Sequence, residues 1–561
     1  LAIVDGGRQV AREQIDLLPT ATFRRQYPGQ LSAGTYTVVV TDSDGSVVMR
    51  HTEGTYDFAS RGSIKSGPQP PRHVPPPSRW TDGDFLESGT DQEMTGRYLA
   101  ALDTYKAGLA RFSDSLGLTR AAGRLMVVLK QFDAAVPFLE KALARVSHDR
   151  EMAYYMGVAQ QALGHSRPAR VAWESAQQYG PHRTAALYHL AAVAWREGSR
   201  GDALKLLGEA SATGSDVVRV GAMQVALLRT LKQPDGARAR LAEWRSIDPT
   251  SSALRYEAVR LGSVDMALWT HLAADPERIL ELVTEYMRFG LVDDALDLLS
   301  RAYPSGPGVV SEPGAPRPEA YPLLAYYRGY LKYVAGQDGA ADYRAASRMP
   351  TTYVFPHRPE SLAVLSDAVT RDPKDATAQF LLGSLYLSGG MVDAAMKAWD
   401  QGRSLNPDIP TLHRNMGYTL LSAGEVEKAI AVFEEGVKHD ANNVGVYTGL
   451  EEALSRAGRP AADRAKALLS YPDQKGLPAA LVYKLALALA EDGRFDDAEQ
   501  QFRGRFFPRQ EGGINVRQIW LAVRARRAAA LAAAGDCRQA TDIVSRLTTP
   551  VPGPSFTNDG L

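Results

Sequence analysis

The sequence predicts a mainly α-helical protein, a solenoid of about eleven or twelve helical hairpins that follows a small N-terminal β segment. Two observations predict the solenoid. From about residue 91 onward, apolar residues recur at helical spacing and alanine is abundant. Four alanines also follow one another at intervals of 34 residues, each early in a predicted helix: Ala135, Ala169, Ala203 and Ala237. A fixed period of this length indicates a repeat architecture in which each unit is one helical hairpin.

The same register returns in the second half of the chain. One unit carries Gly383, Gly390, Ala395, Trp399, Gly402 and Pro407. The unit that follows 34 residues later carries Gly417, Gly424, Ala429, Phe433, Gly436 and Ala441. In less regular units the corresponding alanines are Ala295, Ala341, Ala498 and Ala540. We expect Gly390, Gly424 and Gly458 to lie at turns between helices, because glycine adopts unusual backbone angles at little cost.

The β segment is predicted over residues 1–58. An apolar, β-branched strand runs from Thr35 to Val40, a turn follows through 42–46, and a returning strand begins at Val47. Two strands alone are barely stable. Together with "LPTATFRRQYPGQLSAG" before it, this hairpin resembles the last strands of a β-sandwich. Since the chain begins with Leu1 in what looks like mid-domain sequence, we expect that an N-terminal part has been removed.

Composition predicts the remaining boundaries. Residues 59–78 hold six prolines, so 59–90 is predicted to be an extended, semi-rigid linker, with binding to a proline-recognition module as the alternative to a plain spacer. The predicted helical segments are a first repeat block at 91–249, an irregular block at 250–373 with a Pro/Gly loop at 304–319, a second block at 374–548 and a tail at 549–561.

The repeat unit has Gly in its first helix, Gly at the turn, Ala and then an aromatic residue in its second helix, and a terminal Pro. In these features it resembles the tetratricopeptide repeat, most closely from Gly123 to Pro249 and from Gly383 to Gly458. The resemblance implies a right-handed solenoid whose first helices line a concave surface that binds a protein or peptide. It therefore predicts a non-catalytic binding scaffold.

Aromatic and arginine residues on the first helices are the candidate binding residues. Both types give large contact energies at interfaces, and arginine offers a fork of donors to carboxylates or phosphates. The candidates are Arg120, Arg124, Tyr154, Tyr188, Trp195, Arg196, Arg229, Arg414 and Tyr418. The alternative is that several of them pack against neighbouring helices. Some members of the family hold a C-terminal carboxylate with Lys and Asn side chains, and Arg120 and Arg124 occupy positions like half of that clamp, without the asparagines.

A second resemblance concerns the layout of the whole chain. The order of the strands, the proline-rich linker, "WTDGDFLESGTDQEMTGRYLAALDTYKAGLARF" and the repeats resembles bacterial proteins in which a carbohydrate-enzyme-like β-sandwich domain precedes tetratricopeptide repeats. It implies the alternative function, the C-terminal region of a carbohydrate-active enzyme whose catalytic domain lies upstream of residue 1. A link to carbohydrate would then come through that missing domain.

No motif typical of catalysis, nucleotide binding or metal binding appears in the sequence. There is no Gly-Lys dipeptide and hence no Walker phosphate loop, although Leu387 to Gly390 are the four letters that open the signature loop of cassette ATPases. His182 and His189 are too far apart along one helix to share a metal. The pairs Asp293-Asp294 and Asp496-Asp497 are interpreted as caps at helix starts. We therefore expect no cofactor, no metal site and no catalytic residues in this chain.

Charge and cysteine content limit the kinds of partner that the sequence predicts. Lys plus Arg and Asp plus Glu both number 64, so no global field attracts nucleic acid or an anionic membrane, and we expect neither as a partner. No apolar run is long enough for a membrane span. The single cysteine, Cys537, excludes an internal disulfide and is interpreted as a turn residue rather than a nucleophile, which leaves the compartment undecided.

Overall fold

A computed structural model of the chain describes residues 1–16, 23–27, 31, 36–53, 76–213, 217–305, 311, 314–505, 507 and 515–547. The chain divides into two compact units, Leu1–Trp80 and Thr81–Leu561. The predicted tail 549–561, the first half of the predicted linker and part of the predicted Pro/Gly loop lie outside the described residues.

The first unit contains a four-stranded antiparallel sheet with the strand order β2-β1-β3-β4. Its strands are β1 (Ala2–Asp5), β2 (Arg8–Arg12), β3 (Tyr36–Thr41) and β4 (Val47–Thr52). The predicted hairpin is the β3–β4 pair, in which the hydroxyls of Thr37 and Thr52 lie 2.8 Å apart. The β1–β2 hairpin was not distinguished in the sequence, although Gly6 and Gly7 mark its turn with positive φ angles. That the sheet is the end of a β-sandwich stays a prediction.

The second unit is a succession of helices. The helices before the Pro/Gly loop are α1 (Asp82–Met94), α2 (Tyr98–Arg111), α3 (Leu116–Val128), α4 (Phe132–Arg145), α5 (Arg150–Ala162), α6 (Ser166–Ala176), α7 (Arg183–Arg196), α8 (Arg200–Ser211), α9 (Val217–Thr230), α10 (Pro234–Ile247), α11 (Ser252–Arg260), α12 (Met266–Ala273), α13 (Pro276–Phe289) and α14 (Val292–Ser300).

The helices after the loop are α15 (Pro322–Val334), α16 (Ala340–Ala346), α17 (Glu360–Arg371), α18 (Ala376–Ser388), α19 (Val392–Leu405), α20 (Leu412–Ser422), α21 (Val426–His439), α22 (Val444–Arg456), α23 (Ala461–Leu469), α24 (Ala479–Glu491), α25 (Phe495–Gln500), α26 (Val516–Ala533) and α27 (Cys537–Arg546). Over the whole second unit, consecutive helices pair as hairpins from α1 and α2 up to α15 and α16. Helix α17 lies between two pairs, and the pairing resumes with α18 and α19. Among the described residues, no helix combines the length and the apolarity that crossing a membrane requires.

The first helix begins earlier than the sequence predicted. Residues up to 90 were assigned to the linker, whereas α1 begins at Asp82. The reason is local, because Thr81 and Asp84 form a reciprocal capping box. The Asp84 amide donates to Thr81 Oγ1 at 3.2 Å, and the Thr81 amide donates to Asp84 Oδ2 at 2.7 Å. Two of the four unpaired N–H groups at the helix start are thereby satisfied.

The alanines that recur every 34 residues lie where the second helix of each hairpin packs against the first. Ala135, Ala169, Ala203 and Ala237 are each the fourth residue of their helix, and all four are buried. The assignment of Ala341 to this register was wrong. It is the second residue of α16 and is exposed, while Tyr343 holds the buried fourth position.

Glycines of the first helices make room for aromatic rings of the second helices. A Cβ added to Gly383 would lie 2.5 Å from Trp399, and one added to Gly417 would lie 2.5 Å from Phe433. Gly157 faces the Trp173 ring in the same way. Since real Cβ atoms do not approach so closely, the ring and the glycine have complementary volumes within one hairpin. This explains the Gly and aromatic positions of the repeat in physical terms.

The predicted turn glycines have the expected backbone. Gly390, Gly424 and Gly458 have φ angles of +73°, +79° and +67°. Each is separated from the start of the following second helix by one or two residues. An L side chain is strained at such angles, so glycine is the favoured residue there. The four letters from Leu387 to Gly390 are therefore a hairpin corner, as the repeat register predicted.

The irregular middle of the chain turns back on the first block. Helices α11 and α12 have only 9 and 8 residues, and α13 after them packs against α7. The Phe289 ring lies 5.1 Å from that of Tyr188. One continuous apolar core runs from Leu187 to Val432 as a result. We call α11 to α14 the fold-back segment.

Candidate functional site

A cavity of about 350 Å³ lies between α5, α7 and α9, which are the first helices of three successive hairpins. It brings together two of the predicted binding residues, Tyr154 and Tyr188. Its lining consists of Tyr154, Pro181, Thr184, Ala185, Tyr188, His189, Arg219 and Val220. We call it the Tyr154–Tyr188 cavity.

Aromatic stacking holds one wall of the cavity in place. The Tyr154 ring stacks on His182, with 4.2 Å between the ring centroids and 16° between the planes. It also meets the Trp173 ring edge to face at 5.4 Å. Burial raises the pKa of the Tyr154 phenol, so its hydroxyl stays protonated and can donate a hydrogen bond. Tyr154 is thus a pre-oriented amphipathic side chain.

A buried carboxylate from the fold-back segment organises the opposite wall. The Tyr188 hydroxyl donates to Glu285 of α13, and Arg219 binds Glu285 at 2.7 Å. Arg288 binds the same carboxylate at 2.9 Å. Burial acts to raise the pKa of Glu285, but the charges of Arg288 and Arg219 outweigh it and hold that pKa below its ordinary value. Glu285 is therefore ionised and fixes both cavity residues that bind it.

His189 is a neutral imidazole at the base of the cavity. Its ring lies flat on Trp173, with 4.4 Å between the centroids and 2° between the planes. Burial, reinforced by the charges of Arg288 and Arg219, lowers the pKa of His189 well below its ordinary value. Its Nδ1 is buried and has no hydrogen-bond partner in the part of the chain that the structure describes. A buried nitrogen of this kind gains from a partner that supplies the missing hydrogen bond.

The surroundings of the cavity are rich in guanidinium groups. Arg288 shares its charge between Glu285 and Glu360, whose carboxylate lies 3.1 Å away. Arg196, a predicted binding residue near the end of α7, is exposed and makes no salt bridge with a described residue. Burial, together with the charges of Arg288, Arg219 and Arg196, acts to lower the pKa of His189.

Two predicted side chains are less exposed than the sequence indicated. Tyr188 is 3% exposed and Trp195 is 4% exposed, whereas both were expected to point outward from α7. The physical reason for Tyr188 is the fold-back segment, which covers this part of the helix through Glu285 and Phe289. The Trp195 ring packs into the same core, and the Arg200 guanidinium lies 4.0 Å over it.

Arg229 holds the fold-back segment in place. Its guanidinium binds Glu257 of α11 at 2.8 Å and Asp294 of α14 at 3.0 Å. Arg260 also reaches Asp294, at 3.1 Å. The interpretation of Asp294 as a helix cap was therefore incomplete, because its buried carboxylate joins α9 to α11 and α14. Tyr286 completes the network by donating to Glu257 at 2.7 Å.

Arg120 and Arg124 are half-buried on α3 and are paired within the first block. Arg120 binds Asp149 at 2.7 Å and Glu151 at 3.0 Å. Arg124 binds Glu93 at 2.6 Å. These carboxylates come from the neighbouring helices α1 and α5 or from the cap of α5. The two arginines do not line the Tyr154–Tyr188 cavity.

Arg414 and Tyr418 lie on α20, in the second block, and are half-buried. Arg414 donates to the side chain of the next residue, Asn415, at 3.0 Å. The Tyr418 hydroxyl lies 3.0 Å from that of Thr448 on α22. The structure thus distributes the nine predicted residues over α3, α5, α7, α9 and α20, and it brings Tyr154 and Tyr188 together in one cavity.

Arg219, which lines the cavity, and Glu285, which binds two of the lining residues, were not singled out from the sequence. Arg219 sits on a first helix like the nine chosen residues, so its position in the repeat register could have indicated it. Glu285 could not be found in this way, because it reaches the cavity from the fold-back segment, 97 residues after Tyr188. His182 and His189 were expected to be too far apart to share a metal. In the described residues they stack on different rings, and no group of three metal-binding side chains occurs there.

Comparison with known proteins agrees with the hairpin geometry. The model of the tetratricopeptide repeat family matches residues 357–404. Hsp70-Hsp90 organizing protein 1 of Glycine max is 29% identical over 104 residues, which make up 18% of this chain and 18% of that relative. The match therefore spans less than a fifth of the relative's length. The Hsp70-Hsp90 organizing protein of Triticum aestivum matches over 104 residues with 26% identity and the same coverage of both chains.

Solved structures of similar repeat proteins align with low identity. A tetratricopeptide repeat protein from Parabacteroides merdae ATCC 43184 aligns over 54% of this chain and 98% of its own, with 13% identity and a TM-score of 0.32. The repeated hairpins, with the family match over residues 357–404, confirm the predicted fold, a mainly α-helical solenoid of tetratricopeptide-like hairpins with a small N-terminal β segment. The helical unit of the chain is accordingly built from repeated hairpins.

Proposed function

We propose that this chain binds a protein or peptide partner along the face formed by its first helices, and that the Tyr154–Tyr188 cavity receives a side chain of that partner. The observation that carries the proposal is the cavity itself, about 350 Å³ in volume and lined by two tyrosines, an imidazole and a guanidinium. Tyrosine and arginine are the residue types that contribute most to binding energy at protein interfaces.

The geometry of the cavity favours binding because its walls are already ordered. Glu285 fixes Tyr188 and Arg219, and His182 fixes Tyr154. A partner therefore immobilises few additional side chains, and this lowers the entropic cost of association. The buried Nδ1 of His189 adds a hydrogen-bonding position. It favours a partner side chain that can form a hydrogen bond with this nitrogen over one that cannot.

The other predicted residues extend the proposed surface beyond the cavity. Arg120, Arg124, Arg196, Arg414 and Tyr418 keep half-buried or exposed side chains and stay predicted partner contacts. A partner of protein type agrees with the matched relative, whose name refers to Hsp70 and Hsp90. The alternative function, the C-terminal region of a carbohydrate-active enzyme, concerns residues upstream of Leu1 and stays a prediction.

A peptide-display selection on the intact chain tests the proposed function. We expect enriched peptides whose Kd rises at least about tenfold in the Tyr154→Ala variant, since a buried interface tyrosine is commonly worth more than about 1.4 kcal/mol. The matched control is Tyr98→Ala, the same change at an exposed tyrosine of α2 outside the cavity, which should leave the Kd unchanged. Selection without enrichment, or equal Kd values for both variants, would contradict the proposal.

A further inference from the structure

Two hairpin corners that are far apart in the sequence touch each other. The corner between α3 and α4 contains Gln131, and the corner between α18 and α19 contains Gly389. The Gln131 side-chain amide donates a hydrogen bond of 2.6 Å to the Gly389 carbonyl, across 258 residues of sequence. The last carbonyls of a helix lack partners within that helix, and Gln131 supplies one to the end of α18.

Gly389 is an exception in the repeat register, and the contact explains it. The next two hairpins carry Ala423 and Ala457 at the same position, and an earlier one carries Leu163. The φ angle of Gly389 is −91°, so its backbone does not require glycine. A Cβ at Gly389 would lie 2.4 Å from the Leu129 carbonyl oxygen. Glycine is needed here because the other corner approaches so closely.

Gly390 gives a second, independent observation that the corner between α18 and α19 lies close to the first repeat block. A Cβ there would lie 2.4 Å from Leu99 Cδ2 of α2. The equivalent corner glycines, Gly424 and Gly458, have nothing within 4 Å of that position. Of these three corners with similar backbone angles, the one at Gly390 therefore faces another part of the chain.

We propose that these two corners form a closure that holds the first and second repeat blocks at a fixed separation and that opens when the solenoid changes its pitch. The closure consists of the Gln131 hydrogen bond and of contacts that only glycine permits at positions 389 and 390. Each repeat contacts mainly its neighbours, so small rotations per repeat add up to large displacements between distant corners. A contact between corners 258 residues apart is therefore sensitive to small changes in the stacking of the repeats between them.

Spin-label distance measurement on the full chain tests this closure. The single cysteine is first removed by Cys537→Ser, and labels are attached at Glu140→Cys on α4 and Lys397→Cys on α19, both exposed positions. In this background we expect one narrow distance distribution. Gly389→Leu should lengthen and broaden it, because a leucine side chain cannot fit against the Leu129 carbonyl, while the helical circular dichroism stays that of the parent.

The matched control is Ala423→Leu, which places the same side chain at the equivalent exposed position of the next hairpin corner. It should leave the label distance unchanged. A parent distribution that is already broad, an unchanged distance in Gly389→Leu, or equal lengthening in the control overturns the proposal. If Gly389→Leu loses its helical signal, Gln131→Ala decides in its place: a longer distance supports the closure and an unchanged one overturns it.

Discussion

Helices α7 and α20 hold equivalent places in their hairpins but face different surroundings. The fold-back segment covers α7, where Tyr188 bonds to Glu285 and packs on Phe289. On α20, Tyr418 bonds to Thr448 of the next hairpin. The same repeat register therefore gives one helix, α7, whose Tyr188 is covered by the fold-back segment, and another, α20, whose Tyr418 bonds to the next hairpin.

The cause of the difference lies between the two blocks. The fold-back segment contains two short helices, α11 with 9 residues and α12 with 8, where the regular first helices have 11 to 14. After these two short helices, α13 packs against α7. The repeat pattern therefore determines the structure of each hairpin, whereas departures from the pattern determine which distant hairpins contact each other.

The largest expected effect comes from breaking the network that holds the fold-back segment. Glu257 is fully buried and accepts from Arg229 and Tyr286. Glu257→Ala should lower the free energy of unfolding by about 3–5 kcal/mol, because it leaves buried donors without their partner. The matched control in the second block, Glu427→Ala at the exposed pair with Arg459, should cost about 0–1 kcal/mol. Urea denaturation followed by circular dichroism measures both, and equal losses would contradict the prediction.

A smaller effect should come from the glycine that faces Trp399. Gly383→Ala should lower the free energy of unfolding by about 1–3 kcal/mol, because its Cβ would lie 2.5 Å from the ring. Gly208 of α8 has open space around it, so Gly208→Ala should instead raise that free energy by about 0.5–1 kcal/mol. The same denaturation experiment gives both signs. A stabilising Gly383→Ala would show that the hairpin is packed more loosely than the structure indicates.

The two tyrosines that begin the comparison give a direct test of it. Tyr188→Phe should cost about 1–2 kcal/mol, because its hydroxyl bonds to a buried carboxylate. Tyr418→Phe should cost about 0.5–1 kcal/mol, because its hydroxyl bonds to the neutral Thr448 in a half-buried place. Equal costs in urea denaturation would argue that the fold-back segment adds nothing to Tyr188.

The smallest effect is a dependence on pH. The folded-state pKa of Glu285 lies below its ordinary value of 4.5, so its charge stabilises the fold above that pH. This contribution is lost as the pH falls through the lowered folded pKa. The stability difference between the wild type and Glu285→Gln should therefore be constant near neutral pH and shrink below pH 4.5. Urea denaturation at several pH values tests this, and a difference that grows in acid would refute it.

The sequence predicted the hairpins because their determinants repeat. Ala395 lies at the fourth position of its helix and is fully buried, and Gly390 has the positive φ angle that its register implied. The cavity was predicted only in part. Tyr154 and Tyr188 follow from the register, but Glu285 reaches them through the fold-back segment. The 34-residue period does not contain that contact, because Glu285 lies 97 residues after Tyr188 in the irregular fold-back segment.

The pairing of a glycine with an aromatic ring has a consequence for protein engineering. Gly383 and Trp399 belong to one hairpin, and so do Gly417 and Phe433. These two hairpins therefore carry both halves of a steric match, although a Cβ at Gly449 of the next hairpin would also lie 2.3 Å from the Phe433 ring. The hairpin with Gly383 and Trp399 should therefore keep this match when it is moved as one cassette, whereas the hairpin with Phe433 also needs a glycine in the hairpin that follows it.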